Sequence, residues 1–152
     1  KGIFGDGSKS WLIDGEKWHL EKRCSSDTRD LLIKLNNIIK ENLDLIGPYW
    51  NQKFYLSFKK ENTINLYINT YPTTLKCNFV VKSGKFKKDE IAKRLNIKEF
   101  NIEDTFSEKF NLPSSITVKN INEYTDKIVL RIKKDFDLEN KNFISLLVQI
   151  LN

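Results

Sequence analysis

Apolar and polar residues alternate in three consecutive segments in the middle of the chain. These segments are Lys53–Lys59, Ile64–Tyr71 and Leu75–Lys82. A period of two places alternate side chains on opposite faces of a strand, so the pattern predicts an antiparallel meander with one buried face. Its other face would carry cations, amides and tyrosines, namely Lys53, Lys59, Lys76, Lys82, Asn65, Asn69, Asn78, Tyr55, Tyr67 and Tyr71.

The first connection of this meander is constrained because side-chain faces must match across paired strands. A three-residue loop over residues 60–62 would place Tyr55 opposite Tyr67, whereas a two-residue loop would mix the two faces. The sequence therefore predicts a loop of odd length, with Asn62 in a left-handed conformation.

Other segments repeat their apolar residues at helical spacing. After the N-cap residues Ser25, Ser26 and Asp27, this spacing predicts a helix that is stopped by Gly47-Pro48. A short basic helix, Lys87–Leu95, and a C-terminal helix, Leu138–Leu151 capped by Asp137, are also predicted. Two late strands, Ile116–Ile121 and Lys127–Lys133, would form a hairpin whose outward residues include Lys119, Arg131 and Lys133.

The N-terminal part has a different pattern. Asp14-Gly15 lies between two short apolar-bearing runs in Ser10–Leu20, which is typical of a β-hairpin with a two-residue turn. Residues 1–9, with three glycines, are expected to be a linker or loop. In the polar connection between the basic helix and Leu112-Pro113, Phe100, Ile102, Phe106 and Phe110 indicate a short helix.

Together these elements predict one α+β domain over residues 10–152. An antiparallel sheet, made of the N-terminal hairpin, the meander and the late hairpin, would pack against the first long helix and the C-terminal helix. The 152 residues are 39% apolar, which is enough for a single core. Since the chain begins at Lys1 and has no methionine, we expect a fragment of a longer protein. It has no apolar run of membrane-spanning length and no export signal, so we expect a cytoplasmic location.

The composition offers little catalytic or metal-binding chemistry. Cys24 and Cys77 are 53 positions apart without a CxxC motif, so we expect buried structural thiols and no metal site. His19 is the only imidazole and is expected to be structural. The acids around Glu21 and Asp135 are expected to act at helix starts rather than as a nuclease site. We therefore expect a noncatalytic protein without a cofactor.

The net charge of +6 is concentrated in one part of the sequence. Residues 76–98 contain eight basic and two acidic residues, so the rest of the chain sums to zero. A concentrated positive field attracts polyanions, which makes nucleic acid the first partner to consider. The candidate contacts are Lys82, Lys85, Lys87, Lys88, Lys93 and Arg94. Tyr55 and Tyr67 would either stack on bases or be covered by the N-terminal hairpin.

Three segments of the sequence resemble a group of prokaryotic domains of unknown function. They are WLIDGEKWHLEKRCSS, GPYWNQKFYLSFKK with its aromatic-rich YLSFK, and VLRIKKDFDLENKNFISLLVQIL with its Asp-led terminal helix. These domains commonly follow restriction-type nuclease or other defence modules, and the likeness extends from Ser26 to the end. It implies an accessory module of a DNA-processing or defence protein and transfers no catalytic residue.

Three functional hypotheses follow. The first is a noncatalytic accessory domain that binds nucleic acid and contacts the other domains of its parent protein. The alternative is a protein–protein interaction or oligomerisation module that uses Trp11, Trp18 and Trp50 as anchors. The third is a small-molecule pocket lined by Trp50, Tyr55 and His19.

Overall fold

A computed structural model describes residues 9–99 and 113–151. Its helices are α1 (Ser10–Ile13), α2 (Gly15–Lys17), a π-helical segment (Trp18–Arg23), α3 (Ser26–Asn42), α4 (Lys88–Leu95) and α5 (Lys141–Leu151). Its strands are β1 (Ile46–Tyr49), β2 (Tyr55–Lys60), β3 (Thr63–Thr70), β4 (Leu75–Lys82), β5 (Lys98–Glu99), β6 (Ser115–Asn120) and β7 (Thr125–Ile132). The predicted α+β class is confirmed.

The strands of the described residues form one sheet in the order β1-β2-β3-β4-β7-β6-β5. Neighbouring strands are antiparallel except β5 and β6, which are parallel. The predicted meander and late hairpin are both present, and they are joined through β4 and β7. The two hairpins therefore build one continuous surface.

One face of the sheet is covered by α3, α4 and α5, which we call the helix layer. Leu56, Phe58, Ile68 and Leu130 project from this face and are almost completely buried. They belong to a single apolar core with residues from all three helices, including Leu35, Ile91 and Leu147. The opposite face of the sheet is therefore the surface on which the strands present their polar residues.

Helix α3 begins as predicted but ends earlier. The Ser25 hydroxyl accepts a hydrogen bond from the Thr28 backbone N–H, so Ser25 is the N-cap. The helix ends at Asn42, and Gly47-Pro48 lies inside the edge strand β1 instead of stopping the helix. An edge strand tolerates proline because one side of it needs no ladder hydrogen bond.

The predicted odd-length loop between β2 and β3 is wrong. Glu61 and Asn62 form a two-residue turn in which both have positive φ, 51° and 67°. The register shifts between Phe58 and Lys59, so a bulge at Asn65 restores the match of the faces. As a result Tyr67 pairs with Ser57 and not with Tyr55. The left-handed conformation predicted for Asn62 is confirmed.

The predicted N-terminal hairpin is also wrong, because Ser10–Arg23 is helical. The Asp14 carboxylate accepts a hydrogen bond from the Lys17 backbone N–H, which caps α2. Gly15 is needed for packing, since a Cβ there would lie 2.7 Å from the carbonyl carbon of Trp50. The Trp18 indole N–H donates to the Lys53 carbonyl at 2.8 Å. The segment therefore docks as helices against the ends of β2 and β3.

We expect Gly15→Ala to lower the free energy of unfolding by about 2 kcal/mol, because the new methyl group overlaps backbone that must move. Gly84→Ala is the matched control. Its Cβ meets no atom within 4 Å, and its φ of +77° should cost about 1 kcal/mol. Urea unfolding of both variants measures the difference. Equal losses would mean that the contact with Trp50 does not set the cost.

The remaining elements follow the sequence pattern closely. Helix α4 begins one residue later than predicted and buries Ile91 and Leu95, and Phe86 just before it is buried as well. Helix α5 begins at Lys141 rather than Leu138, because Asn140 caps it by accepting from the Asn142 N–H, while Asp137 accepts from the Glu139 N–H in the preceding turn.

Some predictions fall on undescribed or partly described segments. The short helix around Phe106 lies outside the described residues, and so does most of the predicted linker. No helix in the described part of the chain is long and apolar enough to cross a membrane.

Both cysteines are free thiols and are buried, as predicted. Burial raises the pKa of Cys24 to about 11 and raises that of Cys77 further. Both thiols therefore stay protonated near neutral pH and are poor nucleophiles.

Candidate functional site

The polar face of the sheet brings together residues that are far apart in the sequence. Pairing across β1, β2, β3, β4, β7 and β6 aligns one row of side chains: Tyr49, Ser57, Tyr67, Asn78, Val129 and Thr117. A second row across β4, β7 and β6 contains Val80, Lys127 and Lys119. Aromatic and basic side chains thus lie in adjacent rows on one surface.

Three tyrosines and three lysines define what we call the tyrosine–lysine face: Tyr49, Tyr55, Tyr67, Lys59, Lys82 and Lys127. The rings of Tyr55 and Tyr67 contact each other edge to face at 5.5 Å. The Lys59 ammonium lies 4.8 Å from the centroid of the Tyr49 ring, and the Lys127 ammonium donates to the Tyr67 hydroxyl at 3.4 Å. Two of the three lysines therefore lie close to an aromatic ring, Lys59 over that of Tyr49 and Lys127 beside the hydroxyl of Tyr67.

The whole sheet surface opposite the helix layer, of which the tyrosine–lysine face is a part, carries charge of one sign. Within the described residues, the positions that project to it from the strands β1–β4, β6 and β7 include no aspartate or glutamate. They include six cations: Lys59, Lys76, Lys82, Lys119, Lys127 and Arg131. Like charges concentrated on one surface raise its positive potential above that of the same charges dispersed.

The sheet surface opposite the helix layer has an exposed half and a buried half. Lys82 and Val80 are exposed, Tyr49 is 38% exposed, and Tyr55, Tyr67 and Lys127 are half-buried. Toward the other ends of the strands, Arg131 and Lys133 are buried, although the sequence predicted both to be outward. Arg131 lies on the side of β7 opposite the helix layer, where its guanidinium donates to the Thr117 hydroxyl at 3.4 Å. Only the half with the tyrosines is therefore open to a large ligand.

Asn78 stiffens the centre of the face. Its side-chain N–H₂ donates to the backbone carbonyls of Tyr67 and Lys76 and to the Asn69 side-chain oxygen, at 2.8 to 3.2 Å. The Tyr67 backbone is thus held by a buried amide as well as by the strand ladder. The Tyr67 ring is held by Tyr55 and Lys127, and a ring that is already positioned loses little conformational entropy when it binds.

The predicted basic residues do not form one patch. Lys82 ends β4 on the tyrosine–lysine face, and Lys85 lies in the exposed turn that follows. Lys87 and Lys88 lie where α4 begins, and Lys93 and Arg94 lie within α4, in the helix layer. The Arg94 guanidinium donates to the Gln149 and Ser145 side chains of α5 at 2.6 and 2.8 Å. Arg94 therefore links two helices, and only Lys82 joins the predicted tyrosines.

The turn after Lys82 is fixed by Asp126. The Asp126 carboxylate accepts hydrogen bonds from the Gly84 backbone N–H at 2.9 Å and the Asn120 side chain at 2.8 Å. The Gly84 bond, with a smaller contribution from Asn120, lowers the pKa of Asp126. The carboxylate thus stays ionised and ties the end of β4 to the β6–β7 hairpin.

The three tryptophans anchor the N-terminal helices within the chain. The rings of Trp11 and Trp18 lie 5.5 Å apart, and the Trp50 ring lies 6.0 Å from that of His19. All three tryptophans are half-buried. Leu12, Ile13 and Phe54 are more than half exposed near them. The three tryptophans predicted as interaction anchors therefore pack within the chain, and exposed apolar side chains lie next to them.

His19 is completely buried and both of its ring nitrogens are hydrogen-bonded. Nε2 lies 2.6 Å from the Gln52 carbonyl, which can only accept, so Nε2 carries the proton. Nδ1 then accepts from the Thr70 hydroxyl at 2.7 Å. Burial lowers the pKa of His19 to about 4, so the ring is neutral near pH 7. The ring has no nitrogen left for a ligand in a pocket with Trp50 and Tyr55.

Of the acids singled out in the sequence, Glu21 lies in the first turn of the π-helical segment as expected, whereas Asp135 follows β7 and lies outside any helix start. The Asp135 carboxylate accepts from the Ser114 hydroxyl at 2.7 Å, and this bond joins the residue before β6 to the segment after β7. Within residues 9–99 and 113–151, no group of three or more histidine, cysteine, aspartate or glutamate side chains could hold a metal ion.

Sequence reasoning missed two members of the tyrosine–lysine face. Tyr49 was missed because apolar and polar residues do not alternate in the four residues of β1. The strand also contains Gly47-Pro48, a pair typical of a turn or a helix end. Lys127 was missed although it alternates in phase with Arg131, so the predicted late strand already contained its signal. That Lys127 meets Tyr67 could not be foreseen, because the pairing of β4 with β7 spans about 50 residues of sequence.

Comparison of the chain with protein-family models, with characterised proteins and with solved structures gave no match.

Proposed function

We propose that this chain binds nucleic acid through the tyrosine–lysine face, as a noncatalytic accessory domain of a DNA-processing or defence protein. The observation that carries the proposal is the juxtaposition of three tyrosines with three lysines on a strand surface whose described positions contain no acid. Cations bind the phosphates of a nucleic acid, and aromatic rings offer a surface on which bases stack.

The lysines are spaced to follow an extended polyanion. Lys59 on β2 and Lys127 on β7 are separated by three strand spacings, which is about 14 Å at about 4.8 Å per strand. Lys82 lies farther along β4, next to the turn that holds Lys85. Several phosphates of one chain could therefore be contacted at once, and most of the binding free energy would come from released counterions.

The proposal revises the basic patch that the sequence suggested. Lys82 remains a contact, and Lys85 and Lys87 extend its positive field at one end of the sheet. Lys93 and Arg94 are left out because α4 belongs to the helix layer. The accessory role in a DNA-processing or defence protein is what the sequence resemblance implies, and in such a protein a binding domain would supply affinity rather than chemistry.

The first test is the salt dependence of binding. We expect a fluorescein-labelled 12-nucleotide oligonucleotide to bind about 20-fold more weakly at 200 mM than at 50 mM salt, as three phosphate contacts to a single strand predict. Fluorescence anisotropy measures the dissociation constant at each concentration. Absence of binding at 50 mM salt, or binding that does not change with salt, would contradict the proposal.

A second candidate is an interaction module centred on the N-terminal helices. The observation that favours it is the exposure of Leu12, Ile13 and Phe54 by 56%, 59% and 52% beside the tryptophans. Clustered apolar side chains of this kind mark protein contacts when they form a continuous patch. If the anisotropy titration shows no binding at low salt, this candidate becomes the leading one.

A further inference from the structure

The three tyrosines of the tyrosine–lysine face are arranged around one small residue. Tyr49 and Tyr67 pair with Ser57 from opposite sides, so their backbones lie two strand spacings apart, or about 10 Å. Tyr55 lies two residues from Ser57 along β2, and its ring touches that of Tyr67. Ser57 is buried and short, so the aromatic rings are the larger features of this part of the sheet.

We infer that the ligand of this face is an unpaired stretch of nucleic acid, whose bases stack on Tyr49 and on the Tyr55–Tyr67 pair. This inference rests on the proposed function and specifies its substrate class. The Lys59 ammonium lies over the Tyr49 ring and the Lys127 ammonium lies beside the Tyr67 hydroxyl, so a base stacked on either ring would have a cation close to its flanking phosphates. The face thus combines a base contact and a phosphate contact at two positions.

Duplex DNA would not use this arrangement. The faces of its bases are stacked inside the helix, so a protein surface reaches only phosphates and groove edges. Lysines alone are sufficient for such contacts, and half-exposed tyrosine rings on a sheet would gain nothing. Unpaired bases present their flat faces and stack on aromatic side chains whatever their identity. The expected preference is therefore for single strands, with little dependence on base sequence.

The test compares three labelled probes: a 12-nucleotide thymidine strand, a 12-nucleotide uridine strand and a 12-base-pair duplex. We expect the single strands to bind at least about 10-fold more tightly than the duplex at 100 mM salt, since each stacked base contributes about 10-fold in affinity. The deoxy and ribo strands distinguish DNA from RNA as the source of the unpaired segment. Either one binding tightly supports the inference.

Substitutions at the two outer tyrosines test the stacking itself. Tyr49→Leu and Tyr67→Leu keep apolar bulk without a ring, and each should weaken single-strand binding about 10-fold while leaving duplex binding unchanged. Tyr49→Phe and Tyr67→Phe keep the ring and should bind within about 2-fold of the parent. Tyr124→Leu is the control, because Tyr124 is 74% exposed in the β6–β7 turn and lies outside the face.

Each outcome separates the inference from the function on which it rests. Equal binding of duplex and single strand, or leucine variants that bind single strands like the parent, would overturn stacking and leave salt-dependent binding in place. If the unmodified protein binds none of the three probes, both the stacking inference and the proposed nucleic-acid binding are overturned. Tyr49 is on an edge strand and partly exposed, so Tyr49→Leu gives a reading even if Tyr67→Leu impairs folding.

Discussion

Replacing Lys59, Lys82 and Lys127 together by glutamate is expected to weaken binding to a single-stranded oligonucleotide about 100-fold or more at 50 mM salt. Each lysine contributes about 1 kcal/mol of attraction to a nearby phosphate, and three such losses correspond to about 100-fold in the dissociation constant. Repulsion from the new carboxylates adds to the loss. The measurement is anisotropy with the thymidine strand, at a protein concentration high enough to detect weak residual binding.

The matched control reverses Lys40, Lys93 and Lys141, which are exposed on the three helices of the helix layer. Both triple variants bring the formal net charge from +6 to zero, because each replacement changes it by two. The control should bind within about 3-fold of the parent, since only long-range attraction is lost. Equal losses in the two variants would show that net charge, and not the tyrosine–lysine face, governs binding. A larger loss in the control would place the site on the helix layer.

The free energy of unfolding is expected to fall by about 3 kcal/mol between pH 6.5 and pH 4 because of His19 alone. Burial holds the pKa of His19 at about 4 in the folded protein, against 6.5 in the unfolded chain. Below pH 6.5 the unfolded chain binds a proton that the folded protein does not, so stability is lost as the pH falls. The loss stops near pH 4, where the folded ring also becomes protonated. A difference of 2.5 in pKa corresponds to about 3 kcal/mol.

His19→Gln removes this titration. Comparing the variant with the parent therefore separates the contribution of His19 to the pH dependence from that of the carboxylates. We expect the variant to be less stable than the parent at pH 7, since both hydrogen bonds of the ring are changed. Its stability should nevertheless depend much less on pH between 6.5 and 4. Urea unfolding at four pH values measures both slopes. If the free energy of unfolding depends on pH equally in the two proteins, protonation of His19 does not destabilise the folded state and the expectation is wrong.

The periodic elements of this fold could be predicted because their patterns are local. In Leu75–Lys82, the predicted and observed strand bounds are the same, since eight residues of alternation specify both the strand and its buried face. Helix α4 was similarly clear from the spacing of Ile91 and Leu95. The Ser25 cap was predicted because its hydrogen bond reaches a residue only three positions away.

The errors occurred where short motifs suit two structures. Asp14-Gly15 is compatible with a hairpin turn, yet here Asp14 caps a helix and Gly15 makes room for the Trp50 backbone. The contact with Trp50 is tertiary, so no local pattern distinguishes the two roles. The bulge at Asn65 is a similar case, because it corrects the faces after a two-residue turn that local matching had excluded.

The sequence by itself determined the α+β class, the amphipathic strands and helices, and the presence of tyrosines and lysines on the outward side of the meander. These follow from side-chain periodicity, which depends on neighbours a few residues away. Only the tertiary structure decided which cations share that surface. Pairing of β4 with β7 brings Lys127 to Tyr67, and packing of α4 carries Lys93 and Arg94 to the opposite side. The sequence shows only where cations lie along the chain. Strand order and helix docking decide which of them share a surface.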